Sequence, residues 1–111
     1  MRKQIKIEVY HIKDFTFGYK GTIEDKKIFE NSFEETTEGI VEFTGAIHGL
    51  MWIKKSGELG DVFIKNRYIK ECIEKKKYPY IAKGEKANEF LKKCKFWLLE
   101  QISGINIYLY E

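Results

Sequence analysis

The sequence predicts one α+β domain spanning 1–111: a mostly antiparallel sheet of five to seven short strands, two helices (about 66–77 and 85–102) packed on one of its faces, and a C-terminal strand. Three observations predict it. Apolar and polar residues alternate with a period of two through much of the first 65 residues, the period lengthens to three and four after Asn66, and alternation returns over the last few positions. Helices that bury one stripe need a sheet face to receive it, and the early strands provide one. A chain of 111 residues leaves no room for a second independent core. With 43% hydrophobic and 15% aromatic residues, the composition is that of a folded protein and not of a disordered tail.

The elements follow in order. Ile5, Ile7, Val9 and His11 alternate with Lys6, Glu8, Tyr10 and Ile12, the period of a half-buried strand. Phe15, Phe17 and Tyr19 repeat the pattern after a break at Lys13-Asp14, which predicts a hairpin. Ile28 and Phe29 begin a third strand running towards Phe33. Gly39 to Thr44 reads as a further strand, with Val41 and Phe43 facing one way and Ile40, Glu42 and Thr44 the other. Gly45 and Gly49 interrupt the apolar stretch that follows, Lys55-Ser56-Gly57 and Gly60-Asp61 are turn signals, and Val62 to Ile64 closes a last hairpin.

Asn66 then stands as an N-cap before Tyr68, Ile69, Cys72 and Ile73 at helical spacing, and Pro79 ends that helix. Ala87, Phe90, Leu91, Cys94, Leu98 and Ile102 recur at steps of three and four, and Gly104 sits where a helix-terminating glycine belongs. Ile105, Ile107 and Leu109 alternate with Asn106, Tyr108 and Tyr110 to form the closing strand.

No apolar run approaches the roughly 20 residues that span a bilayer, and the N-terminus lacks the uninterrupted apolar core of a signal peptide, so a cytoplasmic protein is expected. Cys72 and Cys94 fall at apolar positions with no metal or redox spacing and read as buried thiols; the alternative is a bridge between two packed helices. Lysine outnumbers arginine 18 to 2 and isoleucine outnumbers alanine 15 to 3, the signature of an AT-rich genome. The net charge of +3 is unevenly spread: residues 1–64 carry nine basic against eleven acidic groups, residues 65–95 eleven against four.

That asymmetry supplies the candidate sites. Lys75, Lys76, Lys77, Lys83, Lys86, Lys92 and Lys93 surround the predicted helix–loop–helix junction, with Tyr78 and Tyr80 in the loop. Lysines suit phosphate and tyrosines offer a face for base stacking, so this stretch is the candidate ligand surface; its bland reading is a solvated helix face in a lysine-rich protein. The acidic segment 30–42, with Glu34, Glu35, Glu38 and the aromatic anchor Phe33, is the candidate partner surface, or simply a polar loop between strands. His48, between Gly45 and Gly49, is the weak candidate for a general acid or base, against the commoner structural role of a strand histidine. No metal set, cofactor motif or nucleophile motif is present.

The function expected from these features is a small non-enzymatic binding protein, a phage or mobile-element accessory protein that inhibits or sequesters a host component stoichiometrically. Two alternatives stand beside it. One is a nucleic-acid or nucleotide binder using the Lys/Tyr surface of residues 68–95; the other is a small hydrolase built around His48. The expected partner is a protein target or an anionic ligand, with no membrane, and the surplus apolar surface on the second helix suggests a homodimer.

Overall fold

The longest strand runs through the middle of one five-stranded sheet and pairs on both sides. In the computed structural model, which describes residues 3–57, 59–75, 77, 79 and 105–110, the elements are β1 (Lys3–Lys13), β2 (Thr16–Ile23), β3 (Lys26–Phe33), α1 (Glu38–Lys55), β4 (Gly60–Ile64), α2 (Arg67–Glu74) and β5 (Ile105–Leu109). Sheet order is β3-β2-β1-β4-β5. The predicted helix over 85–102 lies outside the described residues, as do Lys76, Tyr78, Tyr80, Lys83, Lys86, Lys92, Lys93 and Cys94.

The α+β class and the C-terminal strand hold. The hairpin partners β1 and β2 pair antiparallel (Val9 opposite Tyr19), as do β2 and β3 (Tyr19 opposite Asn31). Glu24 and Asp25, at the β2–β3 turn, both have positive φ (51° and 66°), the backbone of a tight primed hairpin turn. The other half of the sheet differs from expectation. β4 is no hairpin strand: it runs parallel to β1 (Lys6 opposite Phe63), and β5 runs parallel to β4 (Val62 opposite Ile107), so the sheet is mixed.

The larger correction is α1. Gly39 to Thr44, expected as a strand, is the start of an 18-residue helix, and His48 therefore sits on a helix. Every residue from Ile40 to Ile47 is buried, so the segment shows no polar face and its apolar residues fall into chance alternation. Its end charges fit a helix, with Glu38 in the first turn and Lys54 and Lys55 in the last. Gly57, at φ +72°, follows the Ser56 cap in the left-handed conformation that ends many helices.

The glycines read as breaks are the seam where α1 meets the sheet. A Cβ on Gly45 would stand 2.8 Å from Ile7 Cγ2 and 3.0 Å from the Tyr19 ring; one on Gly49 would stand 3.3 Å from Val62. Each glycine costs about 1 kcal/mol of helix propensity. The close approach lets Ile40, Val41, Phe43, Ile47, Leu50 and Ile53 bury against Ile5, Ile7, Val62 and Ile64, each worth about 1.5–3 kcal/mol, so packing outweighs propensity. α2 adds Ile69, Cys72 and Ile73 to the same core, and Cys72 is a buried free thiol. No described helix is long and apolar enough to cross a membrane.

Gly45→Ala tests this seam. Helix propensity alone predicts a gain of about 1 kcal/mol. The clash with the branched Ile7 side chain and the Tyr19 ring predicts a net loss of about 1–3 kcal/mol, seen as a lower urea midpoint. An unchanged or higher midpoint would show that Ile7 and Tyr19 move aside freely.

Candidate functional site

In an open sheet with parallel strands, ligands collect outside the carboxyl ends of the strands where neighbouring connections depart in opposite directions. Here that point lies between β1 and β4. The chain leaves β1 towards β2 and β3 on one side, and leaves β4 through α2 towards β5 on the other. Continuing the β1–β4 register places Val9 abreast of Asn66, so the β4–α2 junction stands beside the far half of β1.

One residue from α1 organises this place. Glu42 is only 4% exposed, and its Oε2 accepts the Asn66 backbone N–H at 2.7 Å. Asn66 in turn caps α2: its Oδ1 accepts the Ile69 N–H at 3.2 Å. The carboxylate of α1 thus fixes the turn from which α2 starts. Burial, reinforced by the neighbouring charge of Glu38, pushes the Glu42 carboxyl above its usual range; the Asn66 N–H and the Lys65 ammonium pull the other way without reversing the shift. Around this anchor Lys65, Arg67 and Tyr68 are exposed. Beyond Val9 the end of β1 carries exposed His11 and Lys13, and His11 Nε2 lies 2.9 Å from the Asp14 carbonyl oxygen. Cations with an aromatic face among them are the groups that meet phosphate and base.

Sequence reasoning placed Glu42 only within an acidic stretch and Tyr68 only at the start of the 68–95 surface, and did not single out Lys65 or Arg67. The available signal was a lone carboxylate inside an apolar run. It becomes visible only once 38–55 is known to be helix.

The sequence-predicted candidates are scattered. Lys75 and Lys77 are exposed just beyond α2. Glu34, Glu35 and Glu38 are exposed between β3 and the first turn of α1, while Phe33 is half-buried and stacks on Tyr19 at 6.0 Å. Glu30, from the same acidic segment, is engaged within the fold, accepting from Tyr10 Oη at 2.6 Å and from Lys27 Nζ at 2.9 Å. That carboxylate pushes the Tyr10 hydroxyl up to about 12.

His48 sits apart from the strand ends. Its Nδ1 lies 2.8 Å from Tyr19 Oη, which accepts from Asn31 Nδ2 at 3.1 Å, and its ring stacks on Phe29 at 3.8 Å. With Asn31 donating to Tyr19 and Tyr19 donating onwards, Nδ1 is the acceptor, and the histidine ties α1 to β2 and β3. Burial and the Lys55 charge hold its pKa below the ordinary histidine value.

No protein-family model and no curated protein matches this chain by sequence. Its fold is that of RNase H domains. The chain is similar to the PFV RNase H domain (TM-score 0.65, 12% identity, 99% of this chain and 79% of that one). It is also similar to the N-terminal RNase H domain of a Mycobacterium tuberculosis protein (0.59, 15%, 97% and 86%). A third such structure is an RNase H1 from compost solved in complex with an RNA/DNA hybrid (0.59, 17%, 98% and 85%). These neighbours overturn the expectation of a non-enzymatic phage or mobile-element accessory protein acting as a stoichiometric inhibitor, because they are nucleases and one is seen holding a nucleic acid. That expectation rested on size and an AT-rich composition, neither of which bears on fold.

His48 gives this geometry a pH signature. The folded protein resists a proton that the unfolded chain accepts, so the stability contributed by neutral His48 is complete above pH 6.5 and is lost as pH falls from there through the folded midpoint. Its imidazole should titrate below 6.5 by NMR. Denaturation curves should show a shallower loss over that window in His48→Gln than in the wild type.

Proposed function

We propose that this chain binds nucleic acid, with a duplex of the RNA/DNA hybrid type as its ligand, across the carboxyl ends of β1 and β4. The observation that carries the reading is the shared fold: the likeness to an RNase H1 solved with an RNA/DNA hybrid covers 98% of this chain. Lys65 and Arg67 contact phosphates, and Tyr68 stacks against a sugar or an end base. Lys75 and Lys77 lengthen the positive track beyond α2. The alternative weighed from sequence, a nucleic-acid binder using residues 68–95, is thereby kept and moved towards the strand ends.

A lysine is a point charge for phosphate, whereas the Arg67 guanidinium can take two phosphate oxygens at once. The Glu42–Asn66 hydrogen bond holds both in place by fixing the backbone between them. This arrangement reads backbone charge and shape, since it offers a single arginine for base edges among the described residues.

Fluorescence anisotropy with a labelled RNA/DNA hybrid across a salt series tests this. Affinity should fall steeply as salt rises. Lys65→Glu with Arg67→Glu should weaken binding about tenfold to a hundredfold at low salt and reduce the salt slope by roughly two. Lys55→Glu, at the far end of α1, should change it little. Equal losses from both variants would reduce the effect to bulk charge, and absence of hybrid binding at low salt would end the reading.

A further inference from the structure

The inference concerns what holds phosphate at the β1–β4 crevice, and it rests on the nucleic-acid-binding reading. Nucleases commonly grip a phosphodiester between two divalent ions about 3.5–4 Å apart. Such ions need several oxygen ligands each, supplied largely by carboxylates. The described residues of this crevice offer a different set. Glu42 is the one carboxylate buried there, and its Oε2 already accepts the Asn66 backbone N–H at 2.7 Å. Asp61, the other buried acid, lies at the opposite end of β4, beside Gln4, with Asn106 Nδ2 3.5 Å from its Oδ1. Among the described residues no group of three or more His, Cys, Asp or Glu side chains is placed to hold a metal ion. This donor set does not fit a divalent cation.

What the crevice has instead is fixed positive charge. Lys65 directly follows β4 and flanks the Glu42 anchor, and Arg67 opens α2, both exposed. A divalent ion beside them would be repelled, whereas a phosphate would be drawn in. They flank Asn66, whose backbone N–H is held by Glu42 and whose side chain caps α2, so the two groups stand on a hydrogen-bonded turn. We propose that the Lys65 ammonium and the Arg67 guanidinium supply the positive charge that phosphate meets at this crevice, so that phosphodiester binding there is independent of divalent cations. Glu42 is then a positioning residue that orders the β4–α2 turn.

Two measurements on the full chain decide this. The first is hybrid affinity by anisotropy in millimolar Mg2+ and in EDTA at matched ionic strength. The two values should agree within about twofold, and Lys65→Gln should weaken binding by the same factor in both. Affinity lost in EDTA overturns the proposal. The second is titration of the free protein with Mn2+, read by the solution EPR signal that bound Mn2+ loses. An undiminished signal at millimolar protein supports the proposal; stoichiometric loss of signal that Glu42→Gln abolishes overturns it. If no hybrid binds in either buffer, the nucleic-acid reading fails, and the Mn2+ titration still decides whether the crevice takes a divalent ion.

Discussion

The depth at which α1 lies against the sheet governs the rest of the molecule. Gly45 and Gly49 remove the side chains that would hold the helix off β1, β2 and β4, and the core closes over Ile5, Ile7 and Val62 as a result. The same depth delivers Glu42 to the end of β4, one turn before Gly45, where its carboxylate meets the Asn66 N–H. Packing and site are therefore not separable here. A helix seated higher would leave Asn66 without its acceptor and the start of α2 without its fixed turn. A buried N–H or carboxylate deprived of its partner costs on the order of 1–3 kcal/mol, so the site carries part of the fold's own stability.

Charge is organised around that anchor by position more than by composition. On the outer face of the sheet, cations and anions neutralise one another: Glu8 sits 3.3 Å from Lys6 and 3.4 Å from Lys20, and Lys27 meets Glu30. On α2, Lys70 pairs with Glu74 at 3.1 Å. These exposed pairs contribute little to stability, but they remove their charges from long-range attraction. The overall excess of +3 is thus a poor guide to where a polyanion would dock. Location at the strand ends matters more, because the fold leaves Lys65 and Arg67 exposed there.

Much of the architecture was legible in the residues, and the failures have physical causes. β1 and the closing strand were readable because buried and more exposed residues alternate along them, β2 because its aromatics recur at every second position, and the Asn66 cap because its side chain suits a helix start. α1 was not, because a helix buried on most of its circumference has no face to advertise, and because glycine serves both as a breaker and as a close-packing residue. The parallel pairing of β4 was invisible for a related reason: strand direction is set by the crossover, and the crossover was misread. The site suffered most. Its parts come from α1, the end of β4 and the start of α2, and no short motif joins them. His48 drew attention as the neutral-range titratable group, yet its hydrogen bond to Tyr19 and its stack on Phe29 explain its presence through packing alone.

The mixed pairing of β1 also sets the order in which chain entropy must be spent during folding. On its β2 side the partners are joined by a turn of a few residues, and β3 follows by another, so this three-stranded meander needs only local closure, on the microsecond scale of hairpins. On its β4 side the first paired residues, Lys3 and Gly60, are 57 positions apart, and α1 must already span the gap. β5 must then return to β4 across a further 45 positions, from Gly60 to Ile105. Loop closure of that length precedes any reward from contact, so the meander can form early while the parallel half waits on α1. A nascent chain released before residue 105 would therefore display β4 with one edge unpaired, the state in which such a sheet is most open to pairing with another copy.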